Sequence, residues 1–362
     1  MSTLTTNFLT PTGREEAWRF TPLKRLKGLH DASTSLADHP SLTATQLSAG
    51  VTISTQPSVE TGPSSTTDDV VVQRVRDTAK SVTVVAIAAD AVITEPIILT
   101  RSSLGGAAEA SRTVIRAGIH SQSTIVIENV GTGLFAEEIE IILEPGSTLR
   151  FITLQEWEND AVHLGRHHAI IGKDASFTSV VVTVGGSLVR LCPTVEYAGP
   201  GASADMYGLY FAGNGQHLEH RIHVDHNVGY AKSRVNYKGA LSGDGARTVW
   251  IGDVFIRAAA DGTDTYELNR NLLLTDGARA DSVPNLEIET GDIVGAGHAS
   301  TTGRFDDEQL FYLESRGIPE GEAKRLVIRG FFLEILSKIA IEAIEERIMD
   351  RIDVELSKVE IA

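Results

Sequence analysis

Gln216-His217-Leu218-Glu219-His220-Arg221-Ile222-His223-Val224-Asp225-His226 is the stretch on which the reading of the fold turns. Its histidines recur every third residue. On a helix they would form a ridge able to bind a metal. The residues between them argue for a strand. Leu218, Ile222 and Val224 alternate with Glu219, Arg221, His223 and Asp225, and successive side chains of a strand point to opposite faces. His220 and His226 then share the apolar face, and His217 and His223 the polar one. The four do not converge on one ion. Two readings stay open for the polar-face pair: plain surface histidines, or a patch with Asp225 that meets a partner.

Outward from this stretch the texture stays the same. Short β-branched runs alternate with Gly, Asn and Asp turns: Val82–Ile87, Ile93–Leu99, Thr113–Ile115, Thr124–Ile127, Ile139–Leu143 and Val180–Val184. These are strand signals, and a mainly β chain of this kind is a sandwich, barrel, propeller or solenoid. A recurring turn favours the solenoid. Gly146-Ser147, Asp174-Ala175, Gly201-Ala202, Gly245-Ala246 and Gly277-Ala278 precede strand runs, with second residues spaced by 28, 27, 44 and 32. The interval of 44 reads as two turns of 22. Stacked coils of ~20–30 residues each would close one continuous core of inward Val and Ile.

Three regions follow. Residues 1–80 form an N-terminal helical region. Arg14 to Phe20 reads as a helix stopping before Pro22, Leu23, Leu26 and Leu29 recur at helical spacing, and residues 57–69 read as a flexible loop. Residues 81–300 form the β core. Residues 301–362 form a C-terminal helical region. There Asp306 or Asp307 caps a helix running to Arg316, Gly317 suits its left-handed stop, and Pro319 suits the first turn of the next helix. Phe332, Ile335, Leu336, Ile339, Ala343 and Ile344 share one face of an amphipathic helix. That face either packs on the solenoid or receives a partner.

The 362 residues suffice for a large core. Against 32 basic residues stand 48 acidic ones, a net charge of −16, which repels nucleic acid and anionic membrane. The one cysteine, Cys192, excludes an internal disulfide and fits a reducing compartment. The plain reading of Cys192 is a small apolar residue beside Pro193. No basic-then-apolar leader opens the chain and no run approaches ~18 apolar residues, so the expected location is cytoplasmic. Gly172-Lys173-Asp174 is not a phosphate-binding loop, and Gly295-Ala296-Gly297 lacks the βαβ setting of a dinucleotide site. The adjacent acids Glu137-Glu138 and Asp306-Asp307 read as solvated surface or a helix cap. His298, set among Gly297, Ala299 and Ser300, has little bulk around it and could reach a ligand or metal.

Several stretches together carry a resemblance: Glu16-Ala17-Trp18-Arg19-Phe20-Thr21-Pro22-Leu23, Ile222 to Arg234, Asn269 to Leu274, Pro284 to Ile288, and His298 to Ile318. The chain resembles the SufB/SufD family of the SUF iron–sulfur cluster assembly system, over nearly its whole length. Three features place it on the SufD side. The SufB cysteine element is replaced by Leu268-Asn269-Arg270-Asn271-Leu272-Leu273, Ala299 rather than glutamate follows His298, and the longer SufB N-terminal region is missing. Ala296 stands where some members carry a cysteine.

The resemblance implies a right-handed parallel β-helix with N- and C-terminal helical parts. It implies a non-catalytic subunit that pairs with a SufB homologue through the β-helix. Its C-terminal helices would carry SufC, an ABC-type ATPase, with Phe332, Ile335 and Leu336 as the contact. His298 becomes a candidate ligand during cluster assembly. No intrinsic cofactor is expected, only transient iron or an iron–sulfur cluster at the interface with SufB, and a homodimer in isolation stays open. Two other readings compete: a β-helix carbohydrate-active enzyme (lyase or hydrolase), or a SufB-like scaffold that holds a cluster itself. Clusters normally take several thiolates, so one cysteine counts against the latter.

Overall fold

The computed structural model describes residues 10–39, 42–44, 47–59, 65–101, 108–304 and 307–357. Half of the chain is strand, wound into a parallel β-solenoid of about seven turns. Each turn places one strand in a ten-stranded sheet and one in a nine-stranded sheet. The two sheets face each other across a packed lumen. The histidine stretch is the strand His217–His226, and Leu218, His220, Ile222, Val224 and His226 are all buried. Leu218 lies beside Val189 on one side and Thr248 on the other, while Ile222 lies beside Gly252. Such in-register stacking lets each coil cover the inward side chains of the last.

The corners explain the sequence repeat and correct its period. His120, Gly146, Asp174, Gly201 and Tyr230 all take positive φ two residues before a strand of the nine-stranded sheet. The next residue is small and fully covered: Ser121, Ser147, Ala175, Ala202 and Ala231. The position demands left-handed backbone, which Gly and Asp adopt most readily, so His120 and Tyr230 hide two of the five from a sequence reading. Strand Thr148–Trp157 pairs Ser176–Thr183, which pairs Ser203–Ala212, with Thr148 beside Ser176 and Ser176 beside Ser203, offsets of 28 and 27 residues. Gly245-Ala246 is instead a corner of the opposite sheet, ahead of strand Arg247–Ile256. The interval of 44 is therefore one and a half coils rather than two short ones.

Helices cover both outer faces. On the ten-stranded sheet lie α1 (Val70–Thr78) and two short 3₁₀ turns, Glu16–Trp18 and Leu23–Leu26. The helix expected over Arg14 to Phe20 is thus a single turn. Leu23–Leu26 is another, ended by left-handed Lys27 and Gly28. The helix α1 was not signalled, because Val70-Val71-Val72 is a β-branched run. Burial of Val70, Val71 and Val75 on the sheet outweighs that propensity, and the Asp69 side chain caps the helix by accepting from the Val71 N–H at 2.9 Å. Residues 60–64 of the expected loop lie outside the described residues.

On the nine-stranded sheet lie α3 (Glu320–Leu336) and α4 (Glu342–Ser357), preceded by α2 (Asp307–Ser315). Gly317 takes φ 87°, the expected left-handed stop. Asp306 lies outside the described residues. The single C-terminal amphipathic helix is in fact two, broken at Ala340 with φ 55°. Phe332, Ile335 and Leu336 are fully buried with Ile344, Ile348 and Ile352 against Ile152, Val182 and Phe211. These three side chains are covered and offer no free docking surface. Each contributes about 1.5–3 kcal/mol through burial, so they fasten α3 to the solenoid. Ala343 points away, exposed.

Glu137-Glu138 also departs from expectation, since both carboxylates are buried. Adjacent residues of a strand face opposite ways. Glu137 enters the lumen, and Glu138 turns outward beneath α1, where Arg76 and Arg112 pair with it.

Candidate functional site

The solenoid ends in strands Arg279–Ile288 and Ile293–Gly303, one from each sheet. Each is the last in its sheet order and, among the described residues, pairs on one side only. No residue of either strand is buried, whereas the preceding strands are mostly covered. Ile288 and Val294 are exposed apolar residues of this end. Unpaired N–H and C=O groups along such edges are a template for another strand.

His298 lies on the last strand, in register with Glu267 on Thr263–Leu273, so both side chains project from the lumen face. Its Nδ1 is 3.7 Å from Glu267 Oε1. The imidazole is 43% exposed and the carboxylate 1%. Neither oxygen of Glu267 has a hydrogen-bond partner among the described residues. Burial, and behind it the charge of Asp253, pushes the Glu267 carboxyl up to about 8. Gly252 on the facing sheet leaves the carboxylate its room, because a Cβ there would fall 2.2 Å from Oε2. The sequence singles out His298 as a candidate and gives no such sign for Glu267. The available signal was the inward set Thr265, Glu267, Asn269 and Asn271, polar at every other position while Tyr266 and Leu268 face out.

Beside this pair a polar network is complete. Ser282 Oγ donates to Asn269 Oδ1 at 2.7 Å, Asn271 Nδ2 to Ser282 Oγ at 3.0 Å, and Tyr210 OH to Asn271 Oδ1 at 2.7 Å. Deeper in the lumen the His220 ring stacks on Tyr210 and lies 3.0 Å from Thr183 Oγ1. Burial pushes His220 down to about 3 and His226 down to about 4, so both imidazoles are neutral near pH 7. They are fixed hydrogen-bonding groups of the core.

The polar-face histidines are separated. His217 is buried rather than at the surface, because the N-terminal turns cover it, and its Nε2 is 3.2 Å from Glu219 Oε2. Thr21 Oγ1 donates to the same carboxylate at 2.9 Å, and Arg190 reaches it while lying over the Trp18 ring. Burial pushes Glu219 up, but His217 and Arg190 outweigh it and leave the carboxyl at about 2. His223 packs at a tilt against Phe255, with ring centroids 5.1 Å apart, and Asp225 is occupied by Arg257. The three form no open patch. Cys192 is half-buried on the outer face of the ten-stranded sheet, with its thiol pushed up by desolvation. Among the described residues no group of three or more His, Cys, Asp or Glu is placed to hold a metal, and no helix is long and apolar enough to cross a membrane.

The chain is similar to known proteins over nearly its whole length. A family model, SUF system FeS cluster assembly, SufBD core domain, matches residues 99–331. An iron-sulfur cluster assembly SufBD family protein of Mycobacterium bovis (strain ATCC BAA-935 / AF2122/97) is 48% identical over 366 residues, covering 96% of this chain and 90% of the relative. One of Mycobacterium leprae (strain TN) is 48% identical, covering 97% and 91%. A second SufBD family protein of Mycobacterium leprae is 30% identical over 209 residues, 58% of this chain and 24% of its own length.

Proposed function

The chain belongs to the SufBD family of iron–sulfur cluster assembly proteins, and from that membership we propose that it is a SufD-type, non-catalytic cytoplasmic subunit of a SUF assembly complex. It pairs with a cysteine-bearing SufB-type homologue through the open end of the solenoid. It carries a SufC-type ATPase on its C-terminal helices, and it presents His298 to iron or a nascent cluster as cargo. The observation that carries this reading is the pair of one-sided terminal strands without a buried residue, with His298 on their lumen face. Two different family members in one organism support a heteromer. With Phe332, Ile335 and Leu336 covered, the ATPase contact moves to exposed apolar residues such as Phe311 and Tyr312 of α2 and Leu333 of α3. The carbohydrate-active reading gives way to the family membership.

The test is co-expression with a SufB-type partner and measurement of the complex by light scattering and titration. Charging the open end with Ile288→Glu and Val294→Glu is expected to weaken heterodimer formation at least tenfold, about 1.4 kcal/mol or more, with the circular dichroism spectrum unchanged. Unaltered affinity in that variant overturns edge-to-edge pairing.

A further inference from the structure

Five carboxylates of the β core are almost wholly shielded from solvent: Glu137, Glu138, Glu140, Glu219 and Glu267. Four of them have arginine partners: Arg76 and Arg112 reach Glu138, and Arg112 reaches Glu140 as well. Glu137 accepts from Arg101 Nη1 at 2.9 Å and lies 3.0 Å from His167 Nε2. Glu219 has Arg190, Arg221, His217 and Thr21 around it. Glu267 has no arginine or lysine partner, and neither of its oxygens is hydrogen-bonded among the described residues. Leaving a buried carboxyl group unpartnered is costly, and native folds rarely keep one without a use.

The use is set by the neighbour. His298 Nδ1 stands 3.7 Å from Glu267 Oε1, too far for a hydrogen bond. Two donors bound to one first-row ion at ~2.0–2.2 Å each lie roughly 3–3.5 Å apart. A small turn of the half-exposed imidazole closes that difference. Gly252 leaves the space that the carboxylate occupies, and the open end gives an ion a way in.

We propose that Glu267 and His298 form a two-donor site for a divalent first-row cation, ferrous iron in the assembly reaction. Its remaining coordination positions face out of the lumen toward whatever covers the open end. A carboxylate and an imidazole are a donor pair suited to Fe(II), Mn(II) and Co(II) rather than to a preformed thiolate-held cluster. Binding of the cation releases the carboxyl proton to solvent, and the carboxylate then supplies the negative charge that the imidazole lacks, so the pair holds the cation more tightly than either residue alone. This deepens the proposed function by assigning Glu267 to the site of His298.

The experiment is anaerobic titration of the full chain with Fe(II) by calorimetry, and with Co(II) by its visible absorption. Wild type, Glu267→Gln, His298→Ala, Glu267→Asp and the Gln/Ala double variant are compared, each checked by circular dichroism. Each of the first two substitutions is expected to weaken binding at least tenfold, the double variant no more than either, and Glu267→Asp to restore part of the loss with a shifted Co(II) band. Unchanged affinity in Glu267→Gln, or additive losses in the double variant, overturns the shared site. So does the absence of saturable binding to the wild-type chain both alone and with its SufB-type partner. Pairing of the Glu267→Gln chain with that partner, measured in parallel, separates failure of this inference from failure of the assembly role.

Discussion

Glu137 and Glu267 are both lumen-facing glutamates on strands of the same solenoid, and they are held in opposite ways. Glu137 sits in the closed middle, where burial pushes its carboxyl up but Arg101 and His163 pull it well below the usual range. Glu267 sits one coil from the open end, where burial is unopposed and the carboxyl rises to about 8. The same side chain is a finished structural ion pair in one place and an uncompensated acid in the other. Glu137 lies in the ten-stranded sheet and Glu267 in the nine-stranded one, so a solenoid that repeats its backbone need not repeat its electrostatics.

The largest expected effect comes from destroying the compensated side. Arg101→Met leaves Glu137 as a buried charge with only His163 and His167 beside it, and removes the guanidinium from over the Phe135 ring. A loss of about 3–5 kcal/mol in urea unfolding at pH 7 is expected. A loss under 1 kcal/mol would erase the contrast.

The uncompensated side responds with the opposite sign. The Glu267 carboxyl is raised from an ordinary 4.5 to about 8 on folding. Its contribution to stability is therefore full below about 4.5 and lost as pH rises toward 8. Glu267→Gln should match wild type near pH 4.5 and exceed it by about 2–3 kcal/mol near pH 8, after discounting for solvent at the open end. Equal stability at both pH values would mean that Glu267 is compensated after all.

The smallest effect concerns the lumen histidines between the two. His220 is lowered from 6.5 to about 3 by burial, so its contribution is full above 6.5 and is lost as pH falls toward 3. His220→Phe keeps a ring on Tyr210 and gives up the Thr183 hydrogen bond. About 1 kcal/mol is lost at pH 7, and the acid side of the stability profile becomes shallower. An unchanged acid slope would show that this imidazole takes up its proton in the folded chain.

Much of this was legible in the residues. Alternation in Leu218 to His226 assigned both faces of that strand correctly, and the corner turns pointed to stacked coils. Other features were hidden for identifiable reasons. Left-handed corners at His120 and Tyr230 do not look like turns, which disguised the period. Val70-Val71-Val72 reads as strand until a sheet beneath it rewards a helix. Glu137-Glu138 looks solvated because sequence does not show that both faces of that strand are covered. Phe332, Ile335 and Leu336 show an apolar helix face but not its occupant, and the occupant is the solenoid itself. At the open end hydrophobic-in patterning fails, and Glu267 was missed for that reason: the lumen there is polar, while Tyr266 faces solvent.

The stacking of coils also fixes how the molecule carries load. Ladder hydrogen bonds run along the solenoid axis, so tension applied at one end passes through every coil-to-coil junction in series. A series arrangement yields at its softest joint. That joint is the last one, where the register shifts between Thr263 and Asp264 and the terminal strands bury no side chain. A pull on the open edge of the terminal strands meets that joint before it reaches the coils around Glu137.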